Sequence, residues 1–131
     1  MSGLRNAITA VALLSAATSL AADTDDAFLA GEVLRATFVG ATLIGGNWAE
    51  YYGHDGVIVG KIRYMGFLRD FTGRWIAKHD QVCFEYGRTE ANTCSMFRRR
   101  GDRLFHFAPD GKPKSDHESK RLEGNRLDEF K

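Results

Sequence analysis

Two hydrophobic rhythms divide the chain. Residues 7–17 form an almost unbroken run of small and apolar side chains, whereas from Ala41 onward apolar residues come in short bursts that alternate with polar ones. The first run is roughly 11 residues long, against the ~20 that a bilayer-spanning helix needs. Arg5 lies ahead of it and Ser19-Leu20-Ala21 behind it, a positive flank and a small-x-small cleavage site. Residues 1–21 therefore read as a cleavable signal peptide, and residues 22–131 as a single β-rich domain. One amphipathic helix opens that domain. Asp25 or Asp26 caps it, Phe28, Leu29, Val33 and Ala36 recur at helical spacing, and Gly40 ends it.

The bursts that follow read as strands separated by turn residues. They cover residues 42–44, 48–52, 57–64, 73–78, 81–86, 94–99 and 103–107, and residues 65–72 read equally as strand, bulge or loop. His54-Asp55-Gly56, His79-Asp80, Gly101-Asp102 and Pro109-Asp110-Gly111 supply the turns. The polar tail, residues 112–131, has Leu122, Leu127 and Phe130 as anchors and reads in part as an edge strand ending near Gly124-Asn125. Spacing of this kind predicts a mainly β fold: a small antiparallel up-and-down barrel or curled sheet of about seven or eight strands, preceded by one helix.

Cys83 and Cys94 are the two cysteines, and an isolated pair in an exported chain reads as one disulfide. Pairing the flanking strands with Cys83 opposite Cys94 brings the two side chains within bridging reach. Charges nearly cancel, with 18 Lys and Arg against 17 Asp and Glu, so the field that nucleic-acid binding uses is missing.

Candidate chemistry is sparse. His54, His79, His106 and His117 show no metal-binding spacing, no nucleophile elbow or phosphate loop occurs, and Glu50, Asp55, Glu85 and Asp102 read as strand-end or solvent-facing carboxylates. No catalytic residue, metal or cofactor is expected. Arg98, Arg99, Arg100 and Arg103 make the densest charge cluster, able to hold carboxylate or phosphate bidentately or to form a solvated hairpin tip. The many aromatics read mainly as barrel filling, with Trp48 and Tyr52 near an end of the sheet as candidate contact residues.

The signal segment, Leu43-Ile44-Gly45-Gly46-Asn47-Trp48, Tyr51-Tyr52-Gly53-His54-Asp55-Gly56, Gly73-Arg74-Trp75, Cys83-Phe84-Glu85-Tyr86, Cys94 and Asp110-Gly111 resemble a group of small exported alphaproteobacterial proteins of unknown function. That resemblance implies a periplasmic β domain with one disulfide and no established activity. Gly46-Asn47-Trp48 and Gly73-Arg74-Trp75 are also similar, more weakly, to the Gly-x-Trp signature of periplasmic lipocalin-like metalloprotease inhibitors. The expectation is a non-enzymatic periplasmic binding or interaction protein, its partner a periplasmic protein or a small apolar or anionic ligand. A lipocalin-like protease inhibitor is the alternative. No transmembrane span is expected in the mature chain.

Overall fold

The computed structural model describes residues 27–87 and 92–131. The expected signal segment, the capping Asp25 and Asp26, and the loop residues Arg88, Thr89 and Glu90 lie outside the described residues. Among those described, the helix α1 (Gly31–Phe38) is followed by β1 (Ala41–Ile44), β2 (Trp48–Tyr52), β3 (Val57–Tyr64), β4 (Phe67–Ala77), β5 (Val82–Glu85), β6 (Thr93–Arg100), β7 (Arg103–Phe107) and β8 (Pro113–Glu123). Each strand pairs antiparallel with the next, and β8 returns to β1, Ala41 facing Glu123 and Ile44 facing Lys120. The sheet is a closed up-and-down barrel.

Closure corrects the reading of the tail. Strand β8 is not an edge: its 11 residues are long enough to pair with β7 through residues 113–120 and with β1 through residues 120–123. Closure gives every strand a neighbour on both sides, although residues 67–73 of β4 run past β5 and pair with β3 alone among the described residues. The ambiguous residues 65–72 resolve as a hairpin. Met65 and Gly66 both take positive φ, 51° and 84°, the two-residue turn whose twist matches that of flanking strands. Phe67 then begins β4, which runs unbroken to Ala77.

The helix is shorter than expected, and its buried stripe lies elsewhere. Leu34, Thr37 and Phe38 face inward, while Val33 is 59% exposed and Ala36 is also exposed. Phe28 and Leu29 precede the helix because the chain is still docked on the barrel there. The Leu29 amide donates to the Phe97 carbonyl and the Gly31 amide to the His79 carbonyl. From α1, Phe38 drops into the barrel end among Phe97, Tyr52, Trp75 and Phe84, with centroids 4.8–6.3 Å away. Burying such a ring contributes about 1.5–3 kcal/mol. The Trp75 indole N–H is satisfied by the Gly53 carbonyl at 3.0 Å. This end of the barrel is plugged.

Two features brace the wall from outside. The Cys83–Cys94 disulfide is formed, and it joins β5 to β6 where only three residue pairs are in register. After β8 the chain folds back over β1 and β2, where a 3-10 turn (Leu127–Glu129) sets Leu127 and Phe130 against Ala49, Ile44 and Tyr51. Thr42 ties this segment down, its hydroxyl donating to the Gly124 carbonyl and accepting from the Arg126 amide.

Candidate functional site

The opposite barrel end carries the β1–β2, β3–β4 and β7–β8 turns and is open among the described residues. A cavity of about 500 Å³ enters there, within the ~300–1,000 Å³ usual for small-molecule sites. Alternation along the strands decides what lines it, since residues two apart share a face. Trp48, Glu50 and Tyr52 all point inward from β2, Phe84 and Tyr86 from the region of β5, and Ile62 and Phe71 from β3 and β4. Aromatic residues therefore fill only one end of the barrel, and at the other they form the cavity wall. Gly60, paired with Glu50 on one side and Phe71 on the other, makes this possible. A Cβ at Gly60 would lie 2.3 Å from the Phe71 ring, so a side chain there would expel the ring from its place on the wall.

The polar groups form a carboxylate held by two phenols, one buried histidine–serine pair and a rim. Glu50 is 7% exposed, not solvent-facing as its strand position first indicates, because the period of two puts it on the face of Trp48 and Tyr52. The Tyr52 hydroxyl donates to one carboxylate oxygen and the Tyr86 hydroxyl to the other, the latter at 2.7 Å. Burial pushes the Glu50 carboxyl above its ordinary pKa, and the two phenol hydrogen bonds work against that rise. Burial and the neighbouring carboxylate push both phenols well above their usual range, so each keeps its proton to donate.

His106 enters from β7. Burial is the largest influence on its imidazole and pulls the pKa down to about 4, so it is neutral at neutral pH. Its Nε2 lies 2.7 Å from the Ser119 hydroxyl, and its ring stands edge-on to Phe97 and Trp48. A serine and a histidine at this distance invite comparison with a nucleophile and its base. The geometry opposes it: Ser119 is 2% exposed, sits behind the imidazole, and does not line the cavity. At the rim, the Trp48 indole N–H donates to Asp116 at 2.5 Å, and the Lys114 ammonium donates to the Thr93 hydroxyl at 3.1 Å. No group of three or more potential metal ligands converges among the described residues.

No family model, curated protein or solved structure matches the chain.

Of the residues singled out from sequence, Trp48 and Tyr52 both line the cavity. The four arginines lie toward the plugged end, and strand alternation parts them. Arg98 lies on the outer wall between the Phe28 and Phe107 rings, 4.4 and 5.1 Å from their centroids, with its Nε buried and without a hydrogen-bond partner. Arg99 turns to the other face and donates to the Gly101 carbonyl at 2.8 Å. Arg103 pairs with Glu118 at 2.6 Å, and Arg100 is exposed opposite it. They do not converge on one anion-sized point. Glu50, Tyr86, His106 and Lys114 were missed as site residues. For Glu50 the signal was present in the alternation of β2; for Lys114 there was none, because its place depends on barrel closure.

Proposed function

We propose that the protein is an exported, non-enzymatic binding protein whose barrel mouth takes one small molecule with an apolar body and a polar or anionic head. The open cavity, walled by Trp48, Tyr52, Ile62, Phe71 and Phe84 above a satisfied Glu50–Tyr52–Tyr86 network, is the observation that carries this reading. An apolar body displaces water from the aromatic wall, which favours entry in proportion to the area covered. Lys114 at the rim offers a cation to the head group, and Thr93 steadies it. Glu50 and His106 are both committed to internal partners, which favours binding over acid–base work. A periplasmic address draws support from the disulfide, which an oxidising compartment sustains. The described residues include no helix long and apolar enough to cross a membrane.

The test is titration with N-phenyl-1-naphthylamine, a neutral probe that fluoresces in apolar surroundings. Saturable one-to-one binding is expected. Ser95→Phe, which places a ring in the cavity from β6, and Ile62→Trp, which narrows its mouth, should each weaken binding about tenfold while unfolding stays cooperative. Equal binding by the native chain and both variants would overturn the reading. The protease-inhibitor alternative gains no support from the N-terminal segment, which is tied to the barrel at Leu29 and Gly31.

A further inference from the structure

The β3–β4 hairpin ends in an apolar tip that nothing among the described residues covers. Tyr64, Met65 and Phe67 are 58%, 79% and 67% exposed, and Leu68 is exposed beside them. A cluster of large apolar side chains at one exposed turn marks an interaction site rather than scattered surface. The same strands carry Ile62 and Phe71 of the cavity wall, so the tip stands beside the mouth. Directly behind it are two cations: Arg63, paired with Leu68, and Arg69, paired with Ile62. The nearest acid on the hairpin, Asp70, is held by Lys61 at 3.1 Å, which leaves the base of the tip cationic. Lys112 and Lys114, on the turn and strand across the mouth, carry the same sign. Asp110 and Asp116 also lie there; Asp110 caps the Lys112 amide and Asp116 accepts from Trp48.

We infer that this tip docks the barrel, mouth first, on an anionic lipid surface. Met65 and Phe67 would enter the acyl boundary, Tyr64 would sit at headgroup level, and Arg63 and Arg69 would meet lipid phosphates. The observations favour a bilayer over a second copy of the chain. A narrow two-residue turn with four apolar side chains falls far short of the roughly 20–30 residues that each partner supplies to a stable protein interface. The inference rests on the tip's surface and does not require a ligand in the cavity.

Co-sedimentation with vesicles of phosphatidylglycerol and phosphatidylcholine, against vesicles of phosphatidylcholine alone, tests it. The native chain should partition about tenfold more strongly to the anionic vesicles, and less as salt is raised. Met65→Ser/Phe67→Ser and Arg63→Gln/Arg69→Gln should each lower anionic partitioning about tenfold. Both variants should still bind the naphthylamine probe in vesicle-free solution, so failure of docking and failure of the cavity reading are separable. The inference is overturned if the native chain stays in the supernatant or if the serine variant sediments like it. A concentration-dependent dimer that the serine substitutions abolish would overturn it too, by naming the second copy as the occupant.

Discussion

Replacing Tyr52 by phenylalanine removes one oxygen atom and isolates the energetics of the buried carboxylate. The ring stays packed among Phe38, Trp75 and Phe84, so no cavity opens. The residue is 1% exposed, and its loss leaves one Glu50 oxygen without the donor that served it. A hydrogen bond to a charged acceptor contributes about 1.5–3 kcal/mol, and one to a neutral acceptor about 0.5–1.5 kcal/mol. The penalty therefore depends on whether Glu50 is ionised. Its folded pKa is raised above the ordinary 4.5, so the folded chain keeps the proton after the unfolded chain has released it. The Glu50 contribution to stability is greatest below that window and falls as pH climbs through it. The Tyr52 hydrogen bond lowers the Glu50 pKa, so Tyr52→Phe raises it further and extends the fall to higher pH. The expected loss is about 1 kcal/mol on the acid side of the Glu50 titration and about 2–3 kcal/mol on its alkaline side, the latter about 1 M in urea midpoint. Urea unfolding of the native chain, Tyr52→Phe, Glu50→Gln and the double variant as a function of pH measures this. In the Glu50→Gln background the Tyr52→Phe penalty should fall to the neutral range and lose its pH dependence. A penalty in the native background that does not grow as Glu50 ionises with rising pH, or one below about 0.5 kcal/mol, would refute the reasoning.

His106→Gln should flatten the acid side of the stability profile. The imidazole pKa is depressed to about 4, so the unfolded chain takes up the proton first as pH falls, and stability is lost from about pH 6.5 down to about 4. The full window corresponds to about 3 kcal/mol, and urea midpoints across it should show the native slope and its absence in the variant. Replacing Cys83 and Cys94 by serine opens a loop of sequence separation 11. By the chain-entropy relation the loss should be about 3 kcal/mol, read as a fall in urea midpoint relative to the oxidised native chain. A loss below about 1 kcal/mol would mean that β5 and β6 hold their register without the bridge.

Strand existence and order were legible because each hairpin is a local event. Val57–Tyr64 and Arg103–Phe107 are bounded by turn residues and pair with their sequence neighbours, so periodicity and turn chemistry within a short window specify them. The Cys83–Cys94 register was legible for the same reason: the two strands are joined by one short loop. The β3–β4 turn was hidden because exposed Tyr64, Met65 and Phe67 imitate a buried run. The α1 stripe was misplaced because Phe28 and Leu29 bury against the barrel before the helix begins.

By itself, then, the sequence determined a chain of short antiparallel strands with one cystine, since alternation, turns and loop length are local properties. Only the tertiary structure decided that the last strand meets the first, through pairs some 80 residues apart in sequence such as Thr42 with Leu122. Closure then turns one face of every strand into an interior. Glu50, His106 and Lys114 become parts of a cavity because the barrel closes around them, whereas Phe38 plugs one end and leaves the other open. Local patterning assigns a residue to a face. Which faces enclose a site depends on long-range pairing that no short window contains.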